Sequence, residues 1–158
     1  MDGIALKILR EEMLDDSRMV ADAFQKATAR LERGDEIGYE SCAHQLSRFY
    51  NVFEQTGLRV AKAFENNIDD ERGWHGALLN RLAIGIQGIR PAFIPAELKL
   101  PLNELKGFRH VFVHAYDLQL DPEKLALLLK YARQMAEIFP DLIEKFIHAV
   151  AAEQEIEL

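Results

Sequence analysis

The sequence predicts an all-α protein, an antiparallel bundle of four to five helices. Apolar residues recur at helical spacing along most of the chain, whereas the alternating pattern of strands is scarce. Hydrophobic residues make up 49% of the composition, which is typical of a globular chain rather than a disordered one. Because 158 residues suffice for one well-filled core, we expect a single domain over residues 1–158.

The first two predicted helices cover residues 3–32 and 36–66. Between them the sequence Arg33-Gly34-Asp35 interrupts the periodicity, and Gly34 is a suitable C-terminal stop. The apolar stripe of the second helix is the clearest in the chain. Its members are Tyr39, Ala43, Leu46, Phe49, Tyr50, Phe53, Gly57, Val60 and Phe64. Glu54 lies in the middle of this helix, where its carboxylate could equally point to solvent or toward a functional site.

The central part of the chain predicts two further helices separated by a proline-rich connection. Residues 66–70 form a polar link to a third helix over 72–89, and a fourth helix follows over 102–117. The three prolines within residues 91–101 predict an ordered loop or short turn, since proline lacks an N–H and disfavours helix before it. We expect this loop to expose Phe93, Ile94 and Leu98. Together with the wide apolar stripe of the second helix, these side chains would offer a surface for self-association.

The last predicted helix is long and covers residues 122–153. Asp121 is its expected N-cap, and Pro122 suits the first helical position. Pro140 is expected to bend this helix or to end it early. We expect the acidic tail, residues 153–158, to be frayed.

Charge and cysteine content limit the function classes. The net charge of −7 argues against a broad basic face for duplex DNA, although a small phosphate pocket remains compatible with it. The single cysteine, Cys42, excludes an intrachain disulfide and is expected to be a small buried hydrophobe. No apolar run approaches the roughly 20 residues of a membrane span, and the start lacks a signal-peptide pattern. We therefore expect a cytoplasmic protein with no membrane segment.

The most distinctive segment is Arg109-His110-Val111-Phe112-Val113-His114-Ala115-Tyr116. At roughly 100° per residue, its arginine, two histidines and tyrosine fall on one side of a helix about 160° wide. His110 and His114 are then neighbours at i,i+4. The other side would carry Val111, Phe112 and Ala115 toward the core.

These side chains suit phosphodiester cleavage. A histidine can take or give a proton near neutral pH, and an arginine offers a planar donor fork to phosphate oxygens. In RNA the 2′-hydroxyl is the nucleophile, so we expect neither a metal nor a cofactor. The alternative is a partly exposed helix face that merely forms ion pairs.

The segment resembles the Arg-x4-6-His motif of the HEPN superfamily, and more narrowly the Arg-x4-His-x-Tyr form of HepT-like toxins. Its position on a late helix before one long terminal helix is similar too, and His110 matches the polar residue that commonly follows the arginine. The long first two helices and the proline-rich connection depart from the family pattern.

The resemblance implies a HEPN-like bundle that forms a homodimer, in which two motifs build one metal-independent ribonuclease site for an RNA substrate. It implies a toxin that is held in check by an MNT-type nucleotidyltransferase antitoxin, which adds AMP to Tyr116. Arg109 and His114 would be the catalytic pair. His110 would orient substrate or supply the second proton.

Two other functions stay open at the level of sequence. One is a non-catalytic HEPN adaptor that binds nucleotide or docks a partner nucleotidyltransferase, and the other is a plain helical protein-interaction module. Trp74 is expected in the core, and Gly85-Ile86-Gln87-Gly88 lacks the spacing of a phosphate-binding loop. Three Glu/His pairs at i,i+4 are expected to be surface ion pairs: Glu40/His44, Glu71/His75 and Glu144/His148.

Overall fold

The computed structural model describes residues 1–65, 71–115 and 117–157, without the side chains of residues 71–76. Within these ranges the chain forms five α-helices and a short 3-10 helix, Ala96–Leu98. The α-helices are α1 (Gly3–Leu31), α2 (Glu36–Phe64), α3 (Glu71–Leu82), α4 (Lys99–His114) and α5 (Pro122–Glu153). The prediction of an all-α bundle is confirmed.

A tight turn between α1 and α2 explains why these helices pair. Gly34 adopts a φ of 70°, a conformation that favours glycine. The side chain of Asp35 caps α2 by accepting a hydrogen bond from the backbone N–H of Gly38 at 2.7 Å. A Cβ on Gly38 would lie 2.5 Å from the carbonyl oxygen of Arg30, so the hairpin needs glycine there too.

Ion pairs along α1 show how its neighbours run. Arg48 and Arg59 of α2 reach back to Asp22 and Asp16 of α1, so α1 and α2 are antiparallel. Near the start of α1, Arg10 pairs with Glu144 close to the end of α5, so these two helices are antiparallel as well. It follows that α2 and α5 run in the same direction.

The core is shared by the helices, and its aromatic part lies where α2 meets α5. Phe53 packs against Phe139 with ring centroids 5.3 Å apart, and Phe64 against Phe146 at 5.8 Å. Cys42 is buried within this core, as expected, and its burial raises the pKa of the thiol to about 11.

The third helix is shorter than predicted and ends at Leu82 rather than near residue 89. Its end is fixed by Arg90, whose guanidinium donates to the carbonyl oxygens of Arg81 at 3.1 Å and Ile84 at 3.0 Å. These bonds satisfy carbonyls that a continuing helix would have used. Gly88, at a φ of 76°, turns the chain back so that Arg90 can reach them.

The expectation that the proline-rich connection exposes Phe93, Ile94 and Leu98 is wrong, since all three are at most 3% exposed. The backbone N–H groups of Phe93 and Ile94 both donate to the carbonyl of Leu82, which holds the segment against the bundle. The Phe93 ring then packs against Phe146 with centroids 5.2 Å apart. These three apolar side chains thus complete the core.

The final helix begins and ends where it was predicted. Asp121 caps it through a 2.9 Å bond from the N–H of Glu123, and the helix does not end at Pro140. In the tail that was expected to be frayed, Gln154 donates to the carbonyl of Ile89 at 3.1 Å, and Ile156 packs against the core. Across the described ranges, no helix has both the length and the apolar character needed to cross a membrane.

Candidate functional site

Helix α4 presents the distinctive segment, and the phase of this helix decides which side chains turn inward. Leu102 and Leu105 are buried against the bundle. Arg109 follows four residues after Leu105 on the same side, so its guanidinium meets α2. An arginine therefore lies on the inward, otherwise apolar side of this helix.

The Arg109 guanidinium is held by two side chains of α2. Its Nη1 donates to Oδ1 of Asn51 at 2.8 Å and to Oε2 of Glu54 at 2.6 Å, and its Nη2 lies 3.4 Å from Oε1 of Glu54. The Glu54 side chain is only 6% exposed, whereas Arg109 is 21% exposed. Of the two orientations that the sequence left open for Glu54, the structure shows the inward one.

Tyr50 supports the guanidinium from one face. Cζ of Arg109 lies 4.8 Å from the centroid of the Tyr50 ring, a distance typical of a cation–π contact. Burial of Tyr50 raises the pKa of its phenol well above the ordinary range, and the charge of Glu54 adds to this while that of Arg109 opposes it. Tyr50 therefore presents a neutral ring to Arg109 at physiological pH.

His110 and His114 are the two histidines of the predicted site. Both side chains are exposed, and their ring centroids are 4.7 Å apart with the planes tilted by 58°. The expected i,i+4 contact of the imidazoles is present. The arginine, however, faces α2, whereas the imidazoles face solvent at the end of the same helix.

The opposite side of this segment does not face the core as expected. Val111 is 48% exposed and Ala115 is exposed, whereas Phe112 is half-buried and stacks on Phe108 with centroids 5.9 Å apart. The inward stripe of α4 runs through Leu105, Phe108 and Phe112 instead. The direction of the core was predicted wrongly, because the prediction assumed that Arg109 faces away from the bundle. Arg109 in fact points inward, toward α2.

Helix α4 ends three residues earlier than predicted. Ala115 has extended backbone, with φ −85° and ψ 127°, so helical arithmetic does not apply beyond His114. Tyr116 lies outside the described residues. Its predicted place on the Arg109 side of the helix therefore has no support from helical phase.

Sequence reasoning overlooked Asn51 and the supporting role of Tyr50. A usable signal was present, because Asn51 and Glu54 are polar residues at i,i+3, and each directly follows an aromatic position, Tyr50 or Phe53. Two polar side chains on the flank of a core-facing stripe indicate a polar partner on a neighbouring helix.

A groove of about 390 Å³ lies beside the segment, between α4 and the start of α5. Gly107, Phe108 and Val111 line it on the α4 side, and Leu118 and Leu125 line it on the other. A Cβ on Gly107 would meet nothing within 4 Å, so the groove is open at this point. It offers an apolar surface next to the helix that carries the imidazoles.

The other sequence candidates have simpler roles or lie outside the described residues. Glu144, of the Glu144/His148 pair, forms an ion pair with Arg10, whose hydrogen bond lowers the pKa of that carboxyl. The side chains of Glu71, Trp74 and His75 are not among those described. No group of three or more His, Cys, Asp or Glu side chains in the described part of the chain is placed to hold a metal ion.

Comparison with known proteins supports the resemblance at the level of the family. Neither the curated proteins nor the solved structures contain a match to this chain. A sequence model of the family described as HepT-like protein matches residues 41–150, more than half of the chain, including most of α2, all of α4 and most of α5. The chain therefore belongs to the HepT-like family of the HEPN superfamily.

Proposed function

We propose that this protein is a metal-independent endoribonuclease, the toxin of a HEPN/MNT-type toxin–antitoxin pair, acting as a homodimer. The observation that carries the proposal is the arrangement at the end of α4. There a guanidinium is fixed by Asn51 and Glu54, and two exposed imidazoles lie 4.7 Å apart on the same helix. Family membership supports a HEPN-type function.

The chemistry assigns one role to each side chain. Arg109 binds the scissile phosphate and stabilises the charge that builds on its oxygens in the transition state. His114 takes the proton of the 2′-hydroxyl, whose oxygen attacks phosphorus. The P–O5′ bond breaks, and His110 donates a proton to the departing oxygen. The products are a 2′,3′-cyclic phosphate and a 5′-hydroxyl.

The homodimer places two such segments together at one interface. Exposed apolar side chains on α4 support this arrangement, since Leu100 is 64%, Val111 48% and Val113 62% exposed. The expected interface residues Phe93, Ile94 and Leu98 are buried, so the exposed side chains on α4 take their place as the apolar surface for a dimer. Val111 and Val113 lie within the motif segment itself, so an interface built on them would bring two motifs close to each other.

Removing either catalytic side chain tests the proposal directly. Arg109→Ala and His114→Ala should each lower RNA cleavage by on the order of 10²-fold or more, since they remove charge stabilisation and proton transfer, respectively. Cleavage should survive EDTA and should release cyclic-phosphate ends, as measured on a labelled oligoribonucleotide. Matched controls are Arg18→Ala and His148→Ala, both exposed and outside the site, which should keep full activity.

Light scattering of the same samples should give about twice 18.1 kDa. Two results would overturn the proposal in different ways. If the wild type and both variants degrade RNA equally, the site is misassigned. A clean monomer that cleaves RNA would exclude the composite site.

Tyr116 is the proposed site of control by the antitoxin. An AMP group on its hydroxyl would add phosphate and a bulky base two residues from His114, where it would occupy the cleft that RNA needs. After co-expression with an MNT-type nucleotidyltransferase, mass spectrometry should find AMP on the peptide that contains Tyr116. Tyr116→Phe should stay active and resist the partner, whereas Tyr131→Phe should still be silenced.

If Tyr116→Phe is neutralised as fully as the wild type, with no modified peptide, Tyr116 has no regulatory role.

The groove beside α4 favours one alternative, a non-catalytic adaptor that binds nucleotide or a partner nucleotidyltransferase. Its volume of about 390 Å³ falls within the usual range for small-ligand pockets, and its lining is mostly apolar. The adaptor function predicts nucleotide binding that Leu118→Asp, a change on the α5 side of the groove, abolishes, together with no cleavage of any RNA. Retained cleavage by Leu118→Asp would favour the ribonuclease.

A further inference from the structure

We infer that Glu54 is a positioning residue for Arg109, and that it orients the guanidinium so that its Nε–Nη2 edge receives the substrate phosphate. The inference deepens the proposed function and rests on its assignment of Arg109 to the scissile phosphate. It adds a residue 55 positions away in sequence that no motif contains.

The hydrogen-bond inventory of the guanidinium identifies the edge. Arginine has five N–H donors, two on each Nη and one on Nε. The two hydrogens of Nη1 go to Asn51 and Glu54, and one hydrogen of Nη2 faces the second oxygen of Glu54. The remaining two, on Nε and Nη2, lie side by side along one edge. No acceptor among the described residues hydrogen-bonds to the Nε end of that edge.

Two parallel N–H groups are the geometry that binds two oxygens of one phosphate. The opposite end of the guanidinium is fixed on α2, where Glu54 is buried, while 21% of the Arg109 side chain stays exposed. The Tyr50 ring limits rotation out of the plane from one side. A substrate therefore meets an arginine that is already oriented and that loses little conformational entropy on binding.

The negative charge of Glu54 gives this arrangement a kinetic signature. A carboxylate beside the guanidinium weakens its general attraction for phosphate, because the two charges largely cancel at a distance. Glu54 therefore contributes orientation rather than ground-state affinity. Removing its charge should lower kcat, whereas KM should stay the same or fall.

Steady-state kinetics on Glu54→Gln test this split. We expect kcat to fall about tenfold with no rise in KM, since a misplaced guanidinium costs transition-state stabilisation. In an Arg109→Ala background, Glu54→Gln should have no further effect, because it acts only through that arginine. The matched control is Glu144→Gln, which removes the ion pair with Arg10, has no contact with Arg109, Asn51 or Glu54 among the described residues, and should leave kcat unchanged.

A second variant keeps the test valid if Glu54→Gln folds poorly. Asn51 is exposed, so Asn51→Ala should fold normally, and it removes another fixed bond to Nη1. It should lower kcat in the same direction and by less than Glu54→Gln. An unchanged kcat in both variants, or a higher kcat in Glu54→Gln, would overturn the inference.

A readout that needs no cleavage separates this inference from the proposed function. In ¹⁵N spectra of the arginine Nε–H groups, inorganic phosphate should shift the Arg109 resonance of the wild type. In Glu54→Gln that resonance should broaden. If these shifts are seen in a protein that cleaves no RNA, the positioning role of Glu54 is supported and the proposed ribonuclease function is wrong. RNA cleavage without any phosphate-induced shift at Nε would contradict the positioning role of Glu54 and leave the ribonuclease proposal unaffected.

Discussion

Two arginine–glutamate pairs in this bundle have the same chemistry but differ in their surroundings. Arg90 pairs with Glu65 where α2, α3 and the proline-rich connection meet, and its side chain is 0% exposed. Arg109 pairs with Glu54 where α4 meets α2, and its side chain is 21% exposed. Both glutamates are nearly buried.

The difference lies in how many donors are used. Arg90 makes five hydrogen bonds, two to Glu65 and one each to the carbonyl oxygens of Arg81, Ile84 and Pro91. Within the described residues Arg109 makes three, all to Asn51 and Glu54. A guanidinium with every donor satisfied inside the protein serves the fold, and one with an edge left over can bind a ligand.

The largest expected effect tests this difference through stability. Arg90→Gln should lower the free energy of unfolding by about 3–5 kcal/mol, since it leaves Glu65 buried and removes bonds to backbone carbonyls. Arg109→Gln should cost only about 1–2 kcal/mol, because the amide can still donate to Glu54 and water reaches the site. Urea unfolding followed by circular dichroism measures both. Equal costs would show that the two arginines are equally structural.

The pH dependence of stability tests the same comparison through the glutamates. Burial opposes ionisation of Glu65, but hydrogen bonds from Arg81 and Arg90 outweigh it and lower its pKa below the ordinary 4.5. Since the folded-state pKa is the lower one, Glu65 stabilises the fold above the unfolded-state pKa, and this contribution is lost as pH falls through the folded-state value. Wild-type stability should therefore drop below about pH 4.5, as measured by urea unfolding at several pH values.

The control for the titration is a variant that cannot ionise. Glu65→Gln should be less stable at neutral pH and should show a smaller drop in acid. Glu144, whose pKa is also lowered but whose side chain is 34% exposed, should give a weaker version of the same behaviour when changed to Gln. A Glu65→Gln profile parallel to that of the wild type would contradict this assignment.

The smallest expected effect concerns one glycine near each pair. A Cβ on Gly57 would lie 2.6 Å from Cδ1 of Leu82, beside the helix end that Arg90 fixes, whereas a Cβ on Gly107 would meet nothing within 4 Å. Gly107→Ala should therefore stabilise the protein by about 0.5–1 kcal/mol through helix propensity. Gly57→Ala should stabilise the protein by less or should destabilise it, because the Leu82 side chain must move.

Thermal unfolding at fixed protein concentration ranks the two glycine variants. If Gly107→Ala proves destabilising, its surroundings are filled in solution, as they would be when a second copy packs on α4.

The helices themselves were largely predictable, because their signals are local. Apolar spacing and caps placed α1, α2 and α5 within two residues of their observed limits. The end of α3 was misplaced because its carbonyls are satisfied by the side chain of Arg90 and not by a sequence-local stop. The burial of Phe93 was missed for a similar reason, since proline spacing predicts a loop but says nothing about what the loop packs against.

The sequence by itself determined the helical class, the neighbouring imidazoles and the family, because each follows from residues within a few turns of one another. Only the tertiary structure decided that Arg109 faces inward to Glu54, 55 residues earlier, and that Arg90 is entirely enclosed. Periodicity gives the angle between side chains on one helix, but not the direction of the core or the partner on the next helix. Those depend on how the helices pack, and an arginine is identified as structural or functional only by the donors that this packing leaves unused.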